Sequence, residues 1–204
     1  MITDDTYKTI KSISQGIYRE KGSRFISYAC PVSTLKEIKP ILDDYHKRFY
    51  DAKHHSYAYL LGYEKLVWRA NDDGEPSGTA GKPILGQINS FGLTNVLIVV
   101  VRYFGGTLLG TSGLINAYKT AAYDAINNSE IIECTIKDYY KIEFGYSSMN
   151  SVMKILKDEN IGQSDHLFGL NCSINISFRL SAKEDILKRF SGLENVKLTL
   201  IGTH

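Results

Sequence analysis

Two stretches hold the chain's densest chemistry. "DDGEPSGTAGKP", Asp72 to Pro83, packs three carboxylates, three glycines and two prolines into twelve residues. "RYFGGTLLGTSGL", Arg102 to Leu114, sets an arginine ahead of a glycine-rich run. The second stretch follows an apolar run and precedes a helical pattern, the strand–loop–helix arrangement that binds anions. Backbone N–H groups at a helix start point outward and carry roughly half a positive charge. Gly105, Gly106, Gly110 and Gly113 would let a ligand approach the backbone, and the helix is expected to begin near Ser112. Arg102, at the carboxyl end of the strand, is placed to grip a phosphate or carboxylate through two parallel hydrogen bonds. The spacing is neither G-x-x-x-x-G-K-[ST] nor G-x-G-x-x-G, so no named nucleotide motif is met. The bland alternative is a tight loop whose glycines serve positive φ and close packing.

Asp-Gly and Pro-Ser-Gly are turn chemistry, so the acidic stretch can be read as a well-made loop. Asp72, Asp73 and Glu75 are also the ligand type for Mg²⁺, but the spacing supplies no coordination geometry and no metal site is assigned. An ion pair of Asp73 or Glu75 with Arg102 is the expected role, because buried charges need partners. His54 and His55 are neighbours on a strand and point to opposite faces, so they cannot readily share one metal. One is expected inside and the other at the cleft or in solvent. No Ser–His–Asp or Cys–His set can be read from spacing. Ser56 and Ser112 are weak nucleophile candidates, and no catalytic residue is assigned. "YREKGSR" places Arg19, Lys21 and Arg24 around a hairpin tip. That is a solvated turn or a small phosphate-backbone contact.

These groups need a scaffold. "NVLIVVVRYF" is a β-branched run without alternation, the mark of a strand buried on both faces. "SRFISYACPV", "HHSYAYLLG" and "KLVWRA" read as further strands. Leu35, Ile38, Leu42, Tyr45 and Phe49 recur at helical spacing behind a Thr34–Glu37 capping box, with Pro40 inside the pattern. Pro83 opens a short helix that Gly92 can end. Leu114, Ala117, Tyr118, Ala121 and Ala125 share one face of another. From Lys137 the pattern becomes strand, helix, strand, strand, helix, strand, with a second capping box expected at Ser181 and Glu184. This is the βαββαβ order of a ferredoxin-like domain. Two domains are expected, residues 1–137 and 138–204. RNA-recognition domains share that order and stack bases on third-strand aromatics. Here the third strand, "NCSINISFRL", has one aromatic, which argues against that route.

Composition sets limits. The 204 residues are 43% hydrophobic and 23% charged, with a net charge of +2. This excludes a disordered or polyanion-coating chain and leaves room for a local basic patch. Cys30, Cys134 and Cys172 are far apart and read as buried free thiols of a reducing compartment. The N-terminal segment has no apolar h-region, and "VLIVVV" is far too short to span a bilayer. A cytoplasmic protein without a membrane partner or cofactor is expected.

"DAKHHSYAY", "NDDGEPSGTAGKP", "VVVRYFGG" and "LLGTSGLINAYKTAA", in this order, resemble the YigZ/IMPACT family. The likeness spans about residues 10–130, and residues 138–201 resemble the appended domain of bacterial members. The resemblance implies an α+β protein. Its first domain would be a two-layer α/β fold like elongation factor G domain four, with helices on one face of a mixed sheet. Its second would resemble the last domain of that factor. Eukaryotic relatives regulate translation by restraining a stress-sensing kinase, using an extra domain with no counterpart in this sequence. The implied function is a non-catalytic, translation-associated regulator binding RNA, the ribosome or a translation factor. The alternative is an enzyme or sensor for a small phosphorylated ligand at the glycine loop. By motif position the implied surface includes His54, Asp73, Glu75, Gly78, Arg102, Tyr103, Gly105, Gly106 and Gly110. Ser56 stands where many members have Cys, which argues against a cysteine nucleophile, and Ser112 where many have Gly.

Overall fold

The computed structural model describes residues 5–204, which form two compact units. One runs from Tyr7 to Cys134. The other gathers Thr135–His204 with Asp5 and Thr6.

β1 (Thr6–Ile10) pairs with β7 (Ile131–Thr135) in a small separate sheet that, apart from Thr6 and Thr135, belongs to the first unit. The main sheet contains β2 (Ser14–Glu20), β3 (Ser23–Pro31), β4 (His54–Leu61), β5 (Val67–Asn71) and β6 (Val96–Tyr103), in the order β2-β3-β6-β4-β5. β6 is the central strand, as its unbroken apolar run requires: Val96 to Val101 are wholly buried. Val96, Ile98 and Val100 pack against α2 (Gly81–Ser90) and α3 (Gly110–Asn127) through Ile84, Ile88, Ala117, Tyr118 and Ala121. Leu97, Val99 and Val101 face the other way, toward Ile38 and Tyr45 of α1 (Leu35–Arg48). α1 starts at the capping box formed by Thr34 and Glu37 and keeps Pro40 within it.

Two expectations fail here. The sheet is not mixed, since its four ladders are all antiparallel. Nor do the helices lie on one face, so the unit is three-layered rather than two-layered. The physical reason lies in β3 and β6, which are apolar on both sides and leave a second hydrophobic face for α1 to cover. On the α3 side small residues allow close contact. A Cβ at Gly16 would lie 2.4 Å from the Ala125 nitrogen. Ser27 Oγ donates to the Ala121 carbonyl at 2.6 Å, tying strand to helix.

The second unit runs β8 (Lys137–Gly145), α4 (Met149–Asp158), β9 (Gly162–Leu167), β10 (Asn171–Arg179), α5 (Lys183–Ser191) and β11 (Val196–Thr203). Its sheet order is β11-β8-β10-β9, antiparallel throughout. Ile142, Ile174 and Ile176 meet Val152, Leu156, Ile186 and Phe190 in one core. Phe178, the aromatic of β10, is buried in that core rather than displayed. The second capping box does not form. The N-cap of α5 is Ala182, and Ser181 Oγ instead donates to Asp5 Oδ2 at 2.6 Å. Arg179 grips the same carboxylate through Nε and Nη2 at 3.0 and 2.7 Å. The Arg179 hydrogen bond first, then those from Ser181, hold Asp5 well below the usual carboxylate range. Cys30 and Cys172 are buried free thiols, while Cys134 is only partly covered. Among the described residues no helix is long and apolar enough to cross a membrane.

Candidate functional site

The register of the main sheet builds the site. On β6, Arg102 stands opposite Phe25 of β3 and His54 of β4, so these three side chains share the α3 face. The next residue, Tyr103, pairs with Arg24 and faces the other way. Strand alternation therefore splits the glycine-loop residues into two surfaces.

On the α3 face the acidic loop reaches Arg102, as expected, and Glu75 rather than Asp73 makes the contact. Arg102 Nη1 donates to Glu75 Oε1 at 2.6 Å. Tyr118 OH, from α3, donates to the same oxygen at 2.7 Å. The two charged side chains are 6% and 3% exposed. Burial pushes the Tyr118 phenol far up, so it stays protonated and serves as a donor. Arg102 Nε has no hydrogen-bond partner among the described residues. The guanidinium carbon lies 5.4 Å from the Phe25 ring centroid and 5.7 Å from that of Phe104.

The other loop acids have different work. Asp73 Oδ2 accepts from the His55 backbone N–H at 2.6 Å, and Asp73 sits at φ +46°. Asp72 Oδ1 accepts from the Ala80 and Gly81 N–H groups, and its Oδ2 from Gly78 N–H, all within 2.9 Å. Asp72 thus caps α2 from eight and nine residues away. Burial alone would raise its pKa, but these three donors outweigh that and hold it below the usual range. Among the described residues no group of three His, Cys, Asp or Glu is placed to hold a metal ion.

The two histidines face apart. His55 is buried, and its Nε2 donates to the Phe49 carbonyl at 3.1 Å. Burial first, then the neighbouring His46, lower its pKa and keep it neutral. His54 Nδ1 donates to the Asp73 carbonyl at 2.7 Å. A carbonyl only accepts, so Nδ1 carries a proton there, and Nε2 lies 3.8 Å from Glu75 Oε1.

A cavity of about 400 Å³ opens over this cluster, between the acidic loop and the start of α3. Lys53, His54, Glu75 and Arg102 form its polar part, and Pro76, Phe104, Leu108, Leu109 and Leu114 its apolar walls. Gly110 and Thr111 border it, whereas Ser112 does not. The helix begins at Gly110, two residues before its expected start, and Gly110 itself has a left-handed φ of +71°. Gly105 is not free to cradle a ligand. A Cβ there would meet Gly22 C at 1.9 Å and Ser23 N at 2.1 Å, so its role is to let the β2–β3 turn dock. Gly106, at φ +86°, has open space around it.

The second surface lies at that turn. Arg19, Lys21, Arg24 and Tyr103 line an open groove of about 510 Å³ together with Glu20. The Arg24 guanidinium stacks 4.6 Å over the Tyr103 ring, whose OH donates to Asp51 at 2.8 Å. Sequence reasoning missed Lys53, Leu108 and Tyr118. Tyr118 carried a signal: a tyrosine on an alanine-rich buried face needs a partner for its OH. Leu108 carried another, as an apolar residue in a glycine loop. Lys53 carried none.

An antiparallel sheet sandwiched by helices, a glycine loop docked on a hairpin, and a buried Glu–Arg–Tyr cluster beneath a cavity define a class of two-unit α+β protein. Residues 21–126 match the family model of the Impact N-terminal domain. The chain is 30% identical over 186 residues to the IMPACT family member YvyE of Bacillus subtilis (strain 168), covering 91% of this chain and 84% of that one. It is 33% identical over 150 residues to the IMPACT family member YigZ of Escherichia coli (strain K12), covering 72% and 74%. A crystal structure described as that of a hypothetical protein superposes with a TM-score of 0.74 at 24% identity over 98% of both chains, a likeness of fold. This chain belongs to the IMPACT family.

Proposed function

We propose that this protein is a non-catalytic, cytoplasmic regulator associated with translation, and that its first unit engages RNA of the translation apparatus through the groove at the β2–β3 turn. The observation that carries the RNA contact is the grouping of Arg19, Lys21 and Arg24 beside Tyr103 in one open groove. All three cations are exposed. A guanidinium lying on a tyrosine ring adds a flat surface of the kind on which unstacked bases settle. Family membership supports the link to translation, through the resemblance to eukaryotic regulators. The second unit's βαββαβ order and its β11-β8-β10-β9 sheet support a ferredoxin-like assignment. Its core-bound Phe178 directs nucleic-acid contact toward the first unit.

The test is binding of the full chain to labelled ribosomal and transfer RNA fragments over a salt series. Arg19→Ala, Lys21→Ala and Arg24→Ala together should weaken binding and flatten the log–log salt slope by about two units, at roughly 0.7 per single-strand phosphate contact. An unchanged slope removes this groove from the account. Ribosome association that survives both nuclease and the triple change would point to a protein partner instead.

A further inference from the structure

We propose that the cavity over Arg102 and Glu75 is a binding site for a small organic anion, a carboxylate or phosphate carried on an apolar body. Its volume, about 400 Å³, lies within the roughly 300–1,000 Å³ typical of small-ligand pockets. The site belongs to the α3 face and is separate from the groove at the β2–β3 turn, so it does not depend on the RNA reading.

Three features call for an anion. The first is Arg102. Its side chain is nearly buried, lines the cavity, and spends Nη1 on Glu75. Nε is without a hydrogen-bond partner among the described residues. Nε and Nη2 form the edge of a guanidinium that holds a carboxylate or phosphate with two parallel hydrogen bonds. The Glu75 contact leaves that edge unused; Nε is covered in this conformer, so the guanidinium must turn toward the cavity for both bonds to form. Buried donors are nearly always paired, so an unpaired one marks a missing acceptor. The second feature is the start of α3, which borders the cavity at Gly110 and Thr111. Its N-cap is Leu109, whose side chain cannot accept, and no side-chain cap is formed. The first-turn N–H groups therefore remain available, and the dipole favours negative charge there. The third is the charge balance. Arg102 and Glu75 cancel, leaving the exposed Lys53 at the cavity as its net charge.

The remaining walls call for an apolar body. Leu109 and Leu114 are buried beneath, while Phe104 and Leu108 are 49% and 82% exposed. Two large apolar side chains at the rim of a charged pocket gain by covering hydrocarbon. Inorganic phosphate alone would leave them in water, and a neutral aromatic would leave Arg102 unsatisfied. The recognised class thus joins both features.

The test uses the full chain and four probes: 4-phenylbutyrate, phenyl phosphate, 4-phenylbutanamide and inorganic phosphate. Affinities come from calorimetry, and locations from backbone amide shifts in NMR. The two aryl anions should bind saturably, with shifts centred on Lys53 and on 108–112. They should bind at least about tenfold more tightly than the neutral amide or inorganic phosphate. Their ratio tells which head group the site favours. Lys53→Ala and Leu108→Asp lie at exposed positions and leave the core untouched. Each should weaken the aryl anions by at least about threefold. Equal affinity for the amide, no saturable binding of either anion, or shifts that neither variant alters would overturn the proposal.

Discussion

Replacing Arg102 with Met tests the buried cluster most directly. Arg102 and Glu75 are joined at 2.6 Å with side chains only 6% and 3% exposed, so solvent does little to screen them. Arg102→Met keeps most of the apolar volume and strands the Glu75 carboxylate. Breaking a buried pair in this way costs about 3–5 kcal/mol. Tyr118 still donates to Oε1 at 2.7 Å. That remaining charge-assisted bond places the expected loss at the low end, about 3 kcal/mol. A domain with a total of about 5–15 kcal/mol remains folded after such a loss. The assay is urea unfolding at pH 7, followed by fluorescence of Trp68, the chain's one tryptophan. Trp68 lies on β5 in the same unit and reports that unit's transition. With a slope of about 1–3 kcal/mol per molar urea, the midpoint should fall by about 1–3 M. Adding Glu75→Gln removes the stranded charge, so the double variant should be less destabilised than the sum of the singles by about 1–3 kcal/mol. A loss under about 1 kcal/mol for Arg102→Met, the range of exposed pairs, would refute the reasoning, as would strict additivity.

Asp5→Asn removes a carboxylate whose folded pKa is depressed, so its stabilising effect exists above the unfolded value of 3.8 and is lost as pH falls below it. Thermal melts should show the variant weaker than wild type at pH 7, with the gap closing in acid; a gap independent of pH would contradict the linkage. Gly105→Ala drives a Cβ into the Gly22–Ser23 backbone and should cost about 1–3 kcal/mol or more. Gly106→Ala meets only the penalty of its φ of +86°, about 1–2 kcal/mol; chemical melts ranking Gly106→Ala as the worse variant would show that the docked turn had been misjudged. A fragment of residues 7–134 is proposed to melt cooperatively by calorimetry, because its sheet and three helices enclose their own cores. A fragment without a heat-absorption peak would contradict an independent first unit.

Strong local signals in the chain announced particular elements. Six consecutive residues from Val96 to Val101 suit only a strand covered on both faces, and they became β6. Thr34 and Glu37, three apart, were enough to place the start of α1, because a capping box closes within one turn. The βαββαβ order of the second unit was legible from its alternating and helical periods. β1 and β7 were not, being short and only partly buried, with weak alternation. Ser181 and Glu184 mimicked a cap, but Asp5, more than 170 residues away, outcompeted the helix for the serine.

By itself, then, the sequence determined which segments are strands or helices wherever apolar spacing is dense, and it brought the acidic and glycine loops under suspicion as a pair. Tertiary structure decided the rest. Antiparallel pairing and the position of α1 depend on which hydrophobic faces meet, a long-range choice that period alone does not encode. The selection of Glu75 over Asp73 depends on a positive φ at Asp73, which turns that carboxylate to the His55 N–H. The parting of Arg102 from Tyr103 follows from β6 lying in the middle of a sheet, where neighbouring side chains leave by opposite faces and one motif must serve two surfaces.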